Sequence, residues 1–211
     1  MPQAIRPNDS TTRTPPAGRN LPAIVGQTTM HGCMDETAPV AADYVQCQAG
    51  SIGDALVVEL GSPSPTPGND FNHIIGVCAS KDSADGAAVG LVCELRQSYV
   101  SESDLGTLIA TVVCANVPAT VDTYYRYRLT STEAALITDY TALQLRFTTI
   151  NGRGGAPRAC RLHWGGVQLP DASDHSADAH FTPEELRRKG LGLAIVQESD
   201  RRSTGSTTRP F

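Results

Sequence analysis

Two short segments hold the side chains best suited to metal binding. They are His175, Asp178 and His180 in SDHSADAH, and His31, Cys33 and Asp35 in HGCMDE. A zinc site needs three or four converging ligands, but the first segment is otherwise small and polar and the second has no matching pair. The sequence therefore favours a solvated loop for the first segment and a local turn for the second.

Acids and nucleophiles are present without the spacing that catalysis needs. A hydrolytic triad needs a nucleophile, a base and an orienting acid, and the chain has no GxSxG sequence. Glycoside hydrolysis needs a pair of carboxylates, and nothing singles out a pair. The candidates are Glu59, Glu94, Glu102, Asp104 and Asp139. Glu94 lies on the polar face of a predicted strand, where solvent or an arginine is its expected partner. We predict a protein that is not an enzyme.

The glycine-rich segment NGRGGAPR, residues 151–158, superficially resembles a phosphate-binding loop. It lies between two predicted strands rather than between a strand and a helix, and no Lys-Ser or Lys-Thr follows it. A hairpin loop is the favoured interpretation. Asp82 and Asp85 could bind Ca²⁺, but a surface turn is the more common use of such a sequence. We expect neither a metal ion nor a cofactor.

Four aromatic residues could form a surface for stacking against a sugar. They are Tyr124, Tyr125, Tyr127 and Trp164. Aromatic residues make up only 5% of the chain, so we expect most of these rings to be used in the core. A ligand or protein interface built from the four rings remains open as an alternative.

Alternation of apolar and polar residues predicts seven or eight strands. The seven clearest are Ala55–Leu60, Asn72–Ala79, Val89–Gln97, Thr107–Ala115, Thr123–Leu129, Ala142–Thr149 and Ala159–Leu169. Thr130–Glu133 is a capping box, which predicts one short internal helix through about Asp139. Turn signals recur about every 8–12 residues, a pattern typical of a β-sandwich. We therefore predict an all-β fold, sandwich-like or jelly-roll-like, with one short helix.

Two of these strands carry a more specific expectation. Thr107–Ala115 is apolar on both faces, which predicts a strand that is covered on both sides. In the last strand, strict alternation places Cys160, Leu162 and Trp164 on one face.

The two ends of the chain are predicted to be extended arms around a sandwich domain of residues 30–171. Residues 1–29 form the N-terminal arm, and residues 172–211 form the C-terminal arm. Such polar segments cannot bury enough apolar surface to fold alone, so a neighbouring chain is their expected support. The C-terminal arm contains a helix start at Thr182–Glu185 and a strand-like stretch at Leu193–Gln197.

Composition limits the partners that we expect. The net charge is −5, only 18% of residues are charged, and Lys81 and Lys189 are the only lysines. No dense basic cluster indicates nucleic-acid binding, and low surface charge is common where much surface is buried against proteins. The start of the chain lacks the apolar core of a signal peptide, and Leu105–Val113, the longest apolar run, is too short to span a membrane.

Six cysteines occur without any CxxC spacing. They are Cys33, Cys47, Cys78, Cys93, Cys114 and Cys160. Four of them lie inside apolar runs, where reduced cysteine behaves as a small hydrophobe. We expect a protein made in a reducing cytoplasm, without a disulfide framework.

The second half of the chain contains LTSTEAALITDYTALQLRF, Leu129–Phe147, then a glycine-rich loop and PRACRLHWGGVQLP, Pro157–Pro170. This order resembles a recurrent β-sandwich module of tailed-phage and prophage virion proteins. In that module a helix leads into a strand of the type L-x-L-R-F, and an Arg-rich strand with a Trp ends at V-x-L-P.

The resemblance extends upstream to ADYVQC, Ala42–Cys47, and VCELRQ, Val92–Gln97, and covers about Met30–Asp171. The module has an acid two or three residues after the Trp, where this chain has Gly165–Val167. A function assigned to that strand in the module therefore does not transfer to this chain.

The resemblance implies a non-enzymatic structural protein of a tailed-phage virion, assembled in the host cytoplasm. A capsid decoration or cement protein, tying neighbouring subunits together through its arms, is the leading interpretation. Its expected partners are copies of itself and a major capsid or other virion protein. The alternatives are a head–tail connector, a tail or head-fibre component, and a carbohydrate-binding or adhesive module. The last would use the four aromatic residues.

Overall fold

A computed structural model describes residues 3–14, 23–36, 38–63, 67, 72–121, 124–151 and 155–170. Within these residues the chain forms eleven strands and one short α-helix. The strands are β1 (Gln3–Ile5), β2 (Pro7–Thr14), β3 (Ala23–Val25), β4 (Tyr44–Gln46), β5 (Ala55–Leu60), β6 (Ile74–Lys81), β7 (Val89–Gln97), β8 (Thr107–Cys114), β9 (Tyr124–Arg128), β10 (Leu143–Asn151) and β11 (Cys160–Leu169). The helix α1 is Ser131–Ala134, and two 3₁₀ turns are His31–Cys33 and Tyr140–Ala142.

The strands build two antiparallel sheets with one hydrophobic core between them. Sheet A has the order β3–β4–β11–β6–β9, and β1 also pairs with β11. Sheet B has the order β2–β5–β10–β7–β8. The described part of the chain is therefore an all-β sandwich with one short helix, as its alternating residues predict.

The core consists largely of the side chains that the alternation predicts to point inward. On β7 and β10 these are Val89, Leu91, Cys93, Leu95, Leu143, Leu145 and Phe147, each at most 3% exposed. Burial of a large apolar side chain stabilises the fold by about 1.5–3 kcal/mol. The two central strands of sheet B thus supply much of the energy that holds the sandwich together.

Strand β6 begins two residues after its predicted start at Asn72. Asn72 has a φ of 62°, a left-handed conformation that does not fit a strand. Its side-chain oxygen accepts a hydrogen bond from Nη2 of Arg128, at the end of the neighbouring strand β9. Asn72 therefore ends the preceding loop and closes this end of sheet A.

The internal helix has the predicted capping box but is shorter than predicted. The Thr130 side chain accepts a hydrogen bond from the N–H of Glu133, and the Glu133 side chain accepts one from the N–H of Thr130. Gln97 of β7 prevents the helix from continuing to Asp139, because its Oε1 accepts hydrogen bonds from the N–H groups of Thr138 and Asp139, each at 2.9 Å. These two donors are bound to sheet B instead of to the preceding helical turn.

The described part of the predicted N-terminal arm pairs with its own chain. Strand β1 pairs with β11 of sheet A, and β2 pairs with β5 of sheet B. Ile5, the last residue of β1, is 5% exposed and belongs to the core. Residues 3–14 are extended as expected, but they complete the sandwich instead of leaving it. The predicted C-terminal arm, with its helix and strand, lies outside the described residues.

The glycine-rich segment between β10 and β11 is not a hairpin loop, which corrects the prediction. Strand β10 belongs to sheet B and β11 to sheet A, so the chain crosses from one sheet to the other here. The carbonyl of Ala156 accepts from the N–H of Ala87 at 2.9 Å, and Nε of Arg158 donates to the carbonyl of Asp85 at 2.9 Å. Turn residues alone do not reveal which sheet the following strand joins.

Candidate functional site

Trp164 lies on the outer face of sheet A because a β-bulge interrupts β11. The pairing of β11 with β6 shifts in register between Leu162 and Trp164. Beyond the bulge Gly165 faces the core, since a Cβ there would lie 2.7 Å from Cζ of Phe147. The prediction that Cys160, Leu162 and Trp164 share one face is therefore wrong, because the bulge adds a residue to the alternation.

The indole of Trp164 lies close to the sheet over two glycines. A Cβ at Gly76 would be 2.7 Å from Cζ3, and a Cβ at Gly166 would be 3.5 Å from Cζ2. On the other side of the ring system, Nε1 donates to the carbonyl of Glu36 at 3.0 Å. The missing side chains leave room for the indole, which is half-buried.

Tyr124 is the aromatic neighbour of Trp164. Trp164 on β11 lies opposite Cys78 on β6, and Cys78 lies opposite Tyr124 on β9. The two rings meet edge to face, with centroids 6.2 Å apart and an interplanar angle of 66°. Arg126 follows two residues along β9, on the same face as Tyr124, and is exposed. The structure thus brings two of the four predicted rings together, beside a guanidinium.

Tyr125 and Tyr127 are directed to the opposite face and pack against the hydrophobic core. The hydroxyl of Tyr125 donates to the carbonyl of Asn116 at 3.2 Å, and burial raises the pKa of Tyr125 to about 12. The hydroxyl of Tyr127 donates to Oε1 of Glu133 at 2.8 Å. A platform of all four rings is therefore excluded, since the pleat of β9 divides the tyrosines between its two faces.

His163, at the bulge, is a functional-looking residue that the sequence did not single out. It is 1% exposed, with Nε2 2.8 Å from Oγ of Ser80. Its Nδ1 lies 3.3 Å from the carbonyl of Val40 and 3.2 Å from that of Asp43. Carbonyls only accept, so we assign the proton to Nδ1 and the Ser80 hydroxyl as the donor to Nε2. Burial lowers the pKa of His163. It is a neutral group that fastens residues 40–43 to sheet A.

An acidic segment lies beside the five-membered ring of Trp164. Burial raises the pKa of Glu36, and the nearby carboxylates of Asp35 and Asp43 raise it further. Nε2 of Gln27 donates to Oδ2 of Asp43 at 2.8 Å. Negative charge thus gathers at one end of Trp164, whereas Arg126 lies beyond the six-membered ring at the other.

The outer face of sheet B carries a network of ion pairs. Oε2 of Glu94 accepts from Nε of Arg96 and from Nη1 of Arg146, each at 3.0 Å. Nη2 of Arg146 donates to Oε2 of Glu102 at 2.7 Å, and this bond lowers the pKa of Glu102. Nη1 of Arg96 donates to the carbonyl of Leu105 at 3.1 Å. The predicted arginine partner of Glu94 is confirmed, and these groups hold the loop before β8 against the sheet.

Strand β8 is the outermost strand of sheet B and is not covered on both sides, which corrects the prediction. Among the described residues its only strand partner is β7. Ile109 and Val112 are buried, whereas Leu108 is 44% exposed and Val113 is 56% exposed. Apolar residues on both faces predicted a central strand, but no described element covers the outer face here.

The remaining site candidates are dispersed. The turn predicted for His31, Cys33 and Asp35 is confirmed, since His31–Cys33 is a 3₁₀ turn. Asp85 accepts from Nη2 of Arg158 at 3.0 Å. The described part of the chain contains no group of three or more His, Cys, Asp or Glu that could hold a metal ion. His175, Asp178 and His180 lie outside the described residues.

All six cysteines are buried, and none is in a disulfide. Burial raises the pKa of Cys33 and of Cys47 to about 11 in each case. The thiolate, which is the reactive form of cysteine, is therefore suppressed. The predicted role as small buried hydrophobes is confirmed.

No family model and no curated protein matches this chain. Among solved structures, a xylan-binding module, CBM15, is similar to this chain with a TM-score of 0.43 and 11% sequence identity. The match covers 81% of this chain and 94% of that module. In the described residues, no helix combines the length and the apolar character needed to cross a bilayer.

Proposed function

We propose that this chain is a non-enzymatic structural subunit of a tailed-phage particle, in the simplest case a capsid decoration protein. It binds the shell and copies of itself in the virion, after assembly in the host cytoplasm. The resemblance of residues 30–171 to virion modules supports this setting. The edge of sheet B at β8 supports the mode of assembly.

The edge of β8, which no described strand pairs, is the observation that carries the proposal. A free strand edge offers unpaired N–H and C=O groups to another chain, and soluble proteins usually protect it with charge or proline. Strand β8 reads TLIATVVC, without either, and a register shift opposite Leu95 and Arg96 is the one irregularity in its pairing with β7. Its exposed Leu108 and Val113 add apolar surface beside that edge. Addition of a strand from a neighbouring chain would satisfy the backbone and cover these side chains.

The polar groups of the described residues support a structural role. Glu94, Arg96, Arg146 and Glu102 neutralise one another, and His163 binds a serine and two carbonyls. A catalytic site needs such groups to converge on an open space where a substrate can sit. Here they converge on each other and fix loops to the sheets.

The first test is to purify particles of the phage that encodes this chain and to measure the chain by quantitative mass spectrometry. The proposal expects it to remain with the particles through a density gradient, at a fixed ratio to the major shell protein. Recovery of the chain only from the particle-free lysate would contradict the proposal.

The second test concerns the β8 edge. Leu108→Lys with Val113→Lys should lower binding of the purified chain to particles that lack it by at least tenfold, about 1.4 kcal/mol. Ile52→Lys with Val40→Lys is the matched control, because it adds the same charge at side chains that are 62% and 38% exposed and lie outside β8. Equal loss of binding in the control would show that added charge, and not the edge, is responsible.

A further inference from the structure

We propose that Trp164, Tyr124 and Arg126 form a binding site for a carboxylate-bearing oligosaccharide on the outer face of sheet A. This site is separate from the β8 edge of sheet B. It does not depend on the structural role proposed above.

The aromatic part of the site has two rings set at an angle. The centroids of Trp164 and Tyr124 are 6.2 Å apart with planes 66° apart, so the rings can form the floor and the wall of a shallow site. Both rings are half-buried, and so part of each surface reaches solvent. Sugar rings present C–H groups on their faces, which pack well against such aromatic surfaces.

The floor of the site is the indole itself, which covers the buried Gly166 and Gly76, and Arg126 continues this row on β9. These three residues are paired across β11, β6 and β9. The two glycines add no side chain, so the indole lies low against the sheet. Arg126 lies two residues from Tyr124 on the same face of β9, about 7 Å along the strand. A ligand that stacks on the rings therefore has a guanidinium within reach.

Charge complementarity selects the ligand class. Arg126 is exposed and makes no ion pair with any described residue. Arginine binds carboxylates with two parallel hydrogen bonds. The acidic segment with Asp35 and Glu36 lies at the opposite end of Trp164 and disfavours a carboxylate there. The ligand is thus oriented with its carboxylate toward Arg126, as in a chain of uronic acids.

A single-stranded nucleic acid also combines stacking rings with negative charge, but the charge of this chain argues against it. Proteins that bind such strands follow the phosphates with a positive groove, whereas this chain has a net charge of −5. Arg128, the next arginine on this face of β9, already donates to Asn72, so Arg126 suits an isolated carboxylate better than a continuous row of phosphates.

Trp164 is the single tryptophan of the chain, so its fluorescence reports binding directly. The full chain is titrated with oligogalacturonate, oligoglucuronate and oligomannuronate, with xylohexaose as the neutral comparison and oligo-dT as the nucleic-acid comparison. The proposal expects at least one acidic oligosaccharide to bind at least tenfold more tightly than xylohexaose or oligo-dT. Failure of all three to bind at millimolar concentration would overturn it, as would tighter binding of either comparison ligand.

Three variants assign the binding to this face. Tyr124→Ala and Arg126→Gln should each lower the affinity for the acidic oligosaccharide about tenfold. Only Arg126→Gln should abolish the preference for the acidic oligosaccharide over xylohexaose. Tyr127→Phe, on the opposite face of β9, should leave the affinity unchanged. Thermal unfolding of each variant verifies folding, and Arg126→Gln keeps the test valid if Tyr124→Ala does not fold. Unchanged affinity in Arg126→Gln would overturn the proposal.

Discussion

The outer faces of the two sheets carry different kinds of side chain. On sheet B, Arg146 lies between Glu94 and Glu102, and these charges satisfy one another at 2.7–3.0 Å. On sheet A, an indole lies over Gly76 and Gly166, and the nearby guanidinium of Arg126 has no ion-pair partner among the described residues.

This difference distinguishes a face that stabilises the fold from a face that can still bind a ligand. Paired charges have already found partners, so a ligand would have to break them and leave a buried charge behind. Aromatic carbon beside glycine needs no such exchange, since stacking covers apolar surface without removing a hydrogen bond. The ion pairs of sheet B therefore stabilise the fold, and the aromatic face of sheet A is the better place for recognition.

The largest expected effect contrasts the two arginines. Arg146→Met should lower the free energy of unfolding by about 2 kcal/mol, because it leaves Glu94 and Glu102 without this partner at partly buried positions. Arg126→Met, on sheet A, should change it by less than about 0.5 kcal/mol. Urea unfolding of both variants measures the difference. Equal losses would mean that the two faces do not differ in the way described.

An intermediate effect is expected from the glycine under the indole. Gly76→Ala places a Cβ 2.7 Å from Cζ3 of Trp164, so the ring must move. We expect a loss of about 1 kcal/mol and a red shift of tryptophan emission as the ring becomes more exposed. Gly61→Ala is the control, since its Cβ would meet its nearest neighbour at 3.6 Å. An unchanged emission spectrum in Gly76→Ala would contradict the packing of Trp164.

The smallest effects, about half a kcal/mol each, should have opposite dependence on pH. Burial raises the pKa of Glu36, in the loop beside Trp164, so its contribution to stability is present at low pH and is lost as pH rises through the folded pKa. Arg146 lowers the pKa of Glu102, in the turn before β8, so that contribution is present at neutral pH and is lost as pH falls through the folded pKa.

Urea unfolding at several pH values from 3 to 7 measures both effects. Relative to the unmodified chain, Glu36→Gln should be more stable at pH 7, with the gain fading toward low pH. Glu102→Gln should be less stable at pH 7, with the loss fading toward low pH. The same direction of change in both variants would refute the contrast between the faces.

Much of the fold followed from local patterns. Alternation placed β7 at Val89–Gln97 with the correct inward side chains, and Thr130 with Glu133 formed the predicted capping box. The bulge at His163 was not predictable in this way, because an added residue in a paired strand depends on the partner strand. The predicted face of Trp164 was therefore wrong. Of the other three predicted site rings, only Tyr124 lies on the outer face of sheet A with Trp164.

The sequence by itself determined the all-β class, the positions of the main strands and the residues that fill the core between β7 and β10. These features depend on the spacing of residues along the chain, because alternation of apolar and polar residues with a period of two identifies a strand and its inward face. The tertiary structure alone decided that β10 and β11 lie in different sheets, that β8 is an edge strand and that Trp164 meets Tyr124. Those features depend on contacts between residues far apart in sequence, which local patterns do not contain.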